Sequence, residues 1–173
     1  MRRFIAASML MLAVPTQAVA APCLTPAEFT AVTTYTLPSM IRGTSQRCAS
    51  QLGADAYLRR NGDSLASRYA ARRTSAWPGA KAAFLKLSAA TSGEAGNLIR
   101  NLPDTSMQPM LDALMEGMVA QRLPLDRCGT IDRMIGLLSP LPPESAAELI
   151  AVAVGLGAKS GGGKLGAISL CPA

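Results

Sequence analysis

The chain contains no histidine. That excludes Ser-His-Asp and Cys-His catalysis and every histidine-ligated metal centre. It has no C-x-x-C pair, so the usual motif of a thiol–disulfide exchange site is missing. No run alternates with period two for long enough to predict a strand, and no internal repeat is visible. No apolar stretch reaches the ~20 residues that a helical membrane span requires. Charged residues are only 16% of the chain and hydrophobic ones 49%, which suits a packed globule rather than a disordered chain. These absences leave an all-α class: a compact bundle of about six to seven short helices.

The N-terminus reads MRRFIAASMLMLAVPTQAVAA. Arg2 and Arg3 form a positive start, Phe4 to Val14 an apolar run, and Ala18-Val19-Ala20 a small-x-small cleavage pattern. The expectation is a signal peptide over residues 1–20 and a single helical domain over 21–173, with a Gly-rich tail from about 157. Paired arginines also occur in twin-arginine export, but Phe4 directly follows Arg3 and the flanking pattern is absent. Lipidation of Cys23 is disfavoured because Pro22 precedes it and three cysteines would remain, an odd number. Losing Arg2 and Arg3 takes the net charge from +6 to +4, a mild preference for anionic surfaces. Ala-rich composition with arginine favoured over lysine has a bacterial character, so the expected location is periplasmic or secreted.

Four cysteines, Cys23, Cys48, Cys128 and Cys171, belong to the mature chain. An even number in an exported protein predicts two structural disulfides. Three pairings are possible. Cys23–Cys48 with Cys128–Cys171 is the expectation, one bridge in each half of the chain.

Along the chain, Thr25-Pro26-Ala27-Glu28 has the form of a capping box with proline at the first helical position. It predicts a helix to about Thr36, interrupted by Leu37-Pro38. A second helix then starts at Pro38, buries Met40, Ile41, Cys48 and Leu52, and ends at Gly53. Ala54 to Arg60 reads as a short helix stopped by Asn61-Gly62. Asp63 and Ser64 offer a cap for the next, through about Arg73, with Leu65 and Tyr69 inward. Pro78 opens a segment to Ala90 with Ala82, Phe84 and Leu85 inward. A turn at Thr91-Ser92-Gly93 and a short helix over Glu94–Asn101 follow. Ser106 to Arg122 is the most periodic stretch. Met107, Met110, Leu111, Leu114, Met115 and Met118 fall within an arc of roughly 140°, with Asp112 and Glu116 on the far side. Asp126 caps a helix to about Ser139 that carries Cys128, Ile131, Ile135 and Leu138 on one face. Glu144 to Leu156 is apolar almost all round, which predicts the central helix of the bundle.

The tail AKSGGGKLG resembles a phosphate-binding loop, G-x-x-x-x-G-K-[ST]. Ala158 stands where the first glycine belongs and Leu165 where the magnesium-binding hydroxyl belongs. A helix precedes the glycines where a strand is needed. Nucleotide binding is therefore not expected. Ser160-Gly161-Gly162-Gly163 reads as a connector that turns Leu165–Leu170 back across the bundle.

Three candidate chemistries remain. The first is binding through a basic face. Seven basic residues lie between Tyr57 and Lys86 against the single acid Asp63. Arg59, Arg60, Arg68, Arg72, Arg73 and Trp77 are the candidate binding residues, with Lys81 and Lys86 beyond them. Export turns such a face away from nucleic acid and toward an envelope protein or an anionic lipid or glycan surface. The second is hydrolysis by the paired acids Asp112/Glu116 or Glu144/Glu148. Same-helix pairs are poorly placed to flank a scissile bond from opposite sides. The third is a carrier of an apolar ligand or a soft metal on the methionine-rich helix, since thioethers suit Cu(I). The expected function is a non-enzymatic binding or interaction protein of the cell envelope, with no catalytic residues, no metal site and no cofactor.

Overall fold

The computed structural model describes residues 23–89, 99–161, 164–165 and 168–171. The expected signal peptide, the turn at 91–93, most of the expected helix over 94–101 and Gly162-Gly163 lie outside the described residues. The described elements are β1 (Cys23–Leu24), α1 (Pro26–Cys48), α2 (Tyr57–Ala70), α3 (Arg73–Ala89), α4 (Asp104–Arg122), a 3-10 turn (Leu125–Arg127), α5 (Cys128–Leu138), α6 (Pro143–Gly161), β2 (Lys164–Leu165) and β3 (Ile168–Leu170). The class is all-α. The three strands are only two or three residues long and form one ribbon in the order β1-β3-β2. In it β1 runs parallel to β3, Cys23 beside Ser169 and Leu24 beside Leu170.

The capping box at Thr25 is present: Glu28 N–H donates to the Thr25 hydroxyl, and Thr25 N–H to the Glu28 carboxylate. The helix it starts does not stop at Leu37-Pro38. Pro38 lies inside a single 23-residue α1 and costs the Thr34 carbonyl its helical donor. Packing outweighs that loss, because α1 is the axis of the molecule, touched by α2, α3, α4 and α6. Its buried side chains occur all around it, from Thr33 through Ser39 without a gap. Many are small hydroxyl residues. Thr36 and Thr44 turn their hydroxyls onto the Val32 and Met40 carbonyls, so they can be buried without a second partner and let neighbouring helices approach closely. The expectation that Glu144–Leu156 is the central helix is overturned. α6 buries Ala146 and Ala147 but leaves Leu149 50% and Val152 59% exposed.

Three apolar clusters surround α1. Leu37 and Ile41 pack with Leu58, Leu65 and Tyr69 of α2 and the two α6 alanines. Tyr35 packs with Trp77 and Ala80 of α3 and with Met107 and Leu111 of α4. Leu24, Phe29 and Ala83 form the third, with Leu170 and Val154 against them.

Several boundaries differ from the sequence expectation for one shared reason: packing overrides local breakers. Asn61-Gly62 does not end a helix, since α2 runs through it. A Cβ on Gly62 would lie 2.6 Å from the Ser45 hydroxyl oxygen, so the glycine marks where α1 and α2 cross in contact. α2 has no side-chain cap of its own. Instead Asp132 of α5 accepts from Tyr57 N–H at 3.2 Å and Leu58 N–H at 2.7 Å. Pro78 sits inside α3 rather than at its start, and Pro109 lies in the second turn of α4, because that helix begins at Asp104 rather than Ser106. Ala82 is exposed, and Ala80 and Ala83 take the inward positions. α5 begins at Cys128 without a cap from Asp126, and α6 continues to Gly161, past the expected start of the tail.

The disulfide pairing is also corrected. Cys23 joins Cys171 with Cα atoms 4.9 Å apart, and Cys48 joins Cys128 at 5.5 Å. The expected Cys23–Cys48 bridge required α1 to break at Pro38. An unbroken 23-residue helix spans about 35 Å, so cysteines flanking it cannot approach within bonding distance.

Candidate functional site

Three sets of residues were candidates, and each has a definite place in the bundle. Asp112 and Glu116 do not lie on the far side of α4. Both face α1. Asp112 Oδ1 accepts from the Ser39 hydroxyl at 2.8 Å and pairs with the Arg73 guanidinium. Glu116 accepts from the Gln46 amide. Asp104 receives Trp77 Nε1–H at 2.8 Å and Lys81 at 2.5 Å. The Lys81 ammonium, then the Trp77 indole, hold its carboxyl below the usual carboxylate range. Lys86 does the same for Glu28, with the Thr25 backbone N–H adding to it. A general acid needs a shift in the opposite direction, so these two carboxyls act as structural anions. Among the described residues no group of three or more acids or cysteines could hold a metal ion.

The methionine-rich stripe of α4 divides. Met107 and Leu111 enter the core at 0% and 5% exposure, whereas Met110 and Leu114 are 38% and 49% exposed. The inward side of α4 is set by its contacts with Ser39, Gln46 and Gly43 and includes both acids. The stripe is therefore not one buried face.

The six basic-face residues also separate. Trp77 is buried, 4.9 Å from the Tyr35 ring. Arg73 lies with its guanidinium 4.2 Å from the Tyr35 ring centroid and its charge against Asp112. Burial pushes the Tyr35 phenol up, against the opposing pull of Arg73. Both residues belong to the packing between α1, α3 and α4. Lys81 and Lys86, further along the same stretch, pair with Asp104 and Glu28. Those acids are distant in sequence, so no local pattern shows the pairing.

Four arginines stay at the surface. Arg60, Ser64, Ser67 and Ala71 are all exposed at i, i+4, i+7 and i+11, one stripe along the outer side of α2. Arg68 flanks it, donating at 2.6 Å to the Ser139 carbonyl. Arg59 donates to the Ala49 carbonyl at 2.9 Å. Arg72, just past the helix, lies 3.5 Å from Glu144, both well exposed. The result is a shallow surface of small side chains framed by guanidinium groups. No protein-family model, curated protein or solved structure matches this chain.

Proposed function

We propose a non-enzymatic binding protein of the bacterial cell envelope, periplasmic or secreted after loss of residues 1–20, that meets anionic lipid or glycan surfaces with α2. The observation that supports this reading is the set Arg59, Arg60, Arg68 and Arg72, exposed around a stripe of small residues. A guanidinium presents paired N–H donors that match phosphate and carboxylate geometry. Ser64, Ser67 and Ala71 between the arginines are short enough to let a flat surface come close. Each arginine near an anionic membrane contributes about 1 kcal/mol, falling with salt. Arg72 can exchange Glu144 for a surface phosphate, because an exposed ion pair is worth only ~0–1 kcal/mol. Two disulfides fit an oxidising compartment. No helix among the described residues is long and apolar enough to cross a membrane. Nucleic acid is not a partner in this reading.

The test is co-sedimentation of the chain from Ala21 with phosphatidylglycerol vesicles and with phosphatidylcholine vesicles. Binding only to the anionic vesicles is expected, weakening with salt. Arg59→Glu with Arg60→Glu removes the net +4 and is expected to reduce binding at least tenfold with an unchanged melting curve. Unchanged binding by the double variant would end this reading.

A further inference from the structure

A groove of about 630 Å³ opens between the first half of α1, the start of α3 and the start of α6. That size is ordinary for a small-molecule site. It exists because α1 presents only small side chains there: Ala27, Thr30, Ala31 and Thr34, at i, i+3, i+4 and i+7. Ala76 of α3 and Val152 of α6 continue the apolar lining.

Beside the Thr30 and Ser75 hydroxyls, Thr34 and a pair of glutamates interrupt that lining. Thr34 is 2% exposed, and its hydroxyl has no hydrogen-bond partner among the described residues. Its neighbours Thr36 and Thr44 both bond back to their own helix. A buried hydroxyl left without a partner is a cost that a ligand can relieve. Glu144 and Glu148 stand one turn apart on the α6 wall, where like charges repel. Arg72 reaches Glu144 only at 3.5 Å, with the arginine side chain 62% and the glutamate side chain 45% exposed. Glu148 is exposed and has no ion pair among the described residues.

We infer that this groove binds a small organic cation with an apolar body. The apolar part lies along the alanines of α1 and α3. The ammonium group sits against Glu148 and Glu144, taking the place of Arg72. The Thr34 hydroxyl turns from its sealed position to meet a polar atom of the ligand. The groove meets the arginine surface only at the Arg72–Glu144 pair, and it does not depend on the envelope-surface reading.

The probe is n-octylamine, titrated calorimetrically into the chain from Ala21, with methyl resonances of Ala27, Ala31 and Ala151 followed by NMR. One-to-one saturable binding that tightens from butylamine to octylamine is expected, with shifts at all three methyls. Glu148→Gln should weaken it at least tenfold, and octanoate should not compete. Ala27→Leu fills the groove from an exposed position and should also weaken binding at least tenfold without lowering the melting temperature. Arg59→Glu with Arg60→Glu should leave octylamine binding unchanged, which separates this site from the α2 surface. Absence of saturation, equal binding of octanoate, or wild-type affinity in either groove variant would overturn the inference.

Discussion

Gly43 and Gly117 are both interior to helices, yet they answer to different constraints. A Cβ on Gly43 would lie 2.6 Å from the Glu116 carbonyl oxygen and 3.1 Å from the Val119 Cβ. Gly117 has nothing within 4 Å of the same added atom. Gly43→Ala is therefore expected to cost about 2–3 kcal/mol by forcing α1 and α4 apart. Gly117→Ala should gain about 1 kcal/mol from helix propensity alone. Urea unfolding of the two variants tests the pair, and equal effects would contradict the close crossing. The same contact explains why Asp112 and Glu116 point inward. Apolar periodicity alone turns α4 toward Met110 and Leu114. The crossing at Gly43, with Ser39 and Gln46 as polar partners, turns it roughly a quarter turn away.

Proline placement shows how helices here depend on their neighbours. Pro38, Pro78 and Pro109 all lie inside helices, where each removes one hydrogen bond and disfavours the preceding turn by about 3 kcal/mol. Read locally, Pro38 and Pro78 mark helix boundaries, and Pro109 fits only a first turn. In the bundle, the apolar contacts of α1, α3 and α4 exceed that local cost, because most helix stability comes from tertiary packing. Pro109 is exposed. Pro109→Ala restores a donor for the Thr105 carbonyl and is expected to stabilise the protein by about 1–3 kcal/mol. A rise in the urea midpoint without a change in slope is the result to look for. A fall would mean that α4 needs a proline-induced bend.

The two bridges are nested, spanning 148 and 80 residues. Loops of that size correspond to about 4.5–5 kcal/mol each by loop-closure entropy, and the two are not additive. They act on different parts. Cys23–Cys171 holds the two ends of the domain beside each other, where Cys171 N–H also donates to the Leu24 carbonyl at 2.9 Å. Cys48–Cys128 fixes α5 to the far end of α1. Apart from that bridge, α5 is held chiefly to α2, through Asp132 and the contact of Gly136 with Tyr57. Cys48→Ala with Cys128→Ala is expected to lose about 4 kcal/mol and to speed amide exchange in α5 more than in α1. Peptide mapping of the native protein should return Cys23–Cys171 and Cys48–Cys128. A Cys23–Cys48 peptide would rule out a continuous α1.

Composition and local pattern were enough to establish the helical class, the two bridges as a number, the capping box at Thr25 and the inward Leu65 and Tyr69. These depend on interactions between residues a few positions apart, which the order of residues displays directly. The partners of the cysteines, the central place of α1, the inward turn of Asp112 and the loss of Arg73 and Trp77 from the basic surface depend on contacts tens of residues apart. α1 was especially hard to read, because threonine, serine and proline are buried beside Phe29, Tyr35, Leu37 and Ile41 all around the helix rather than in one apolar stripe. The groove beside it left no mark either, since alanines and threonines at i, i+3, i+4 and i+7 become a cavity only when a facing helix stands off from them.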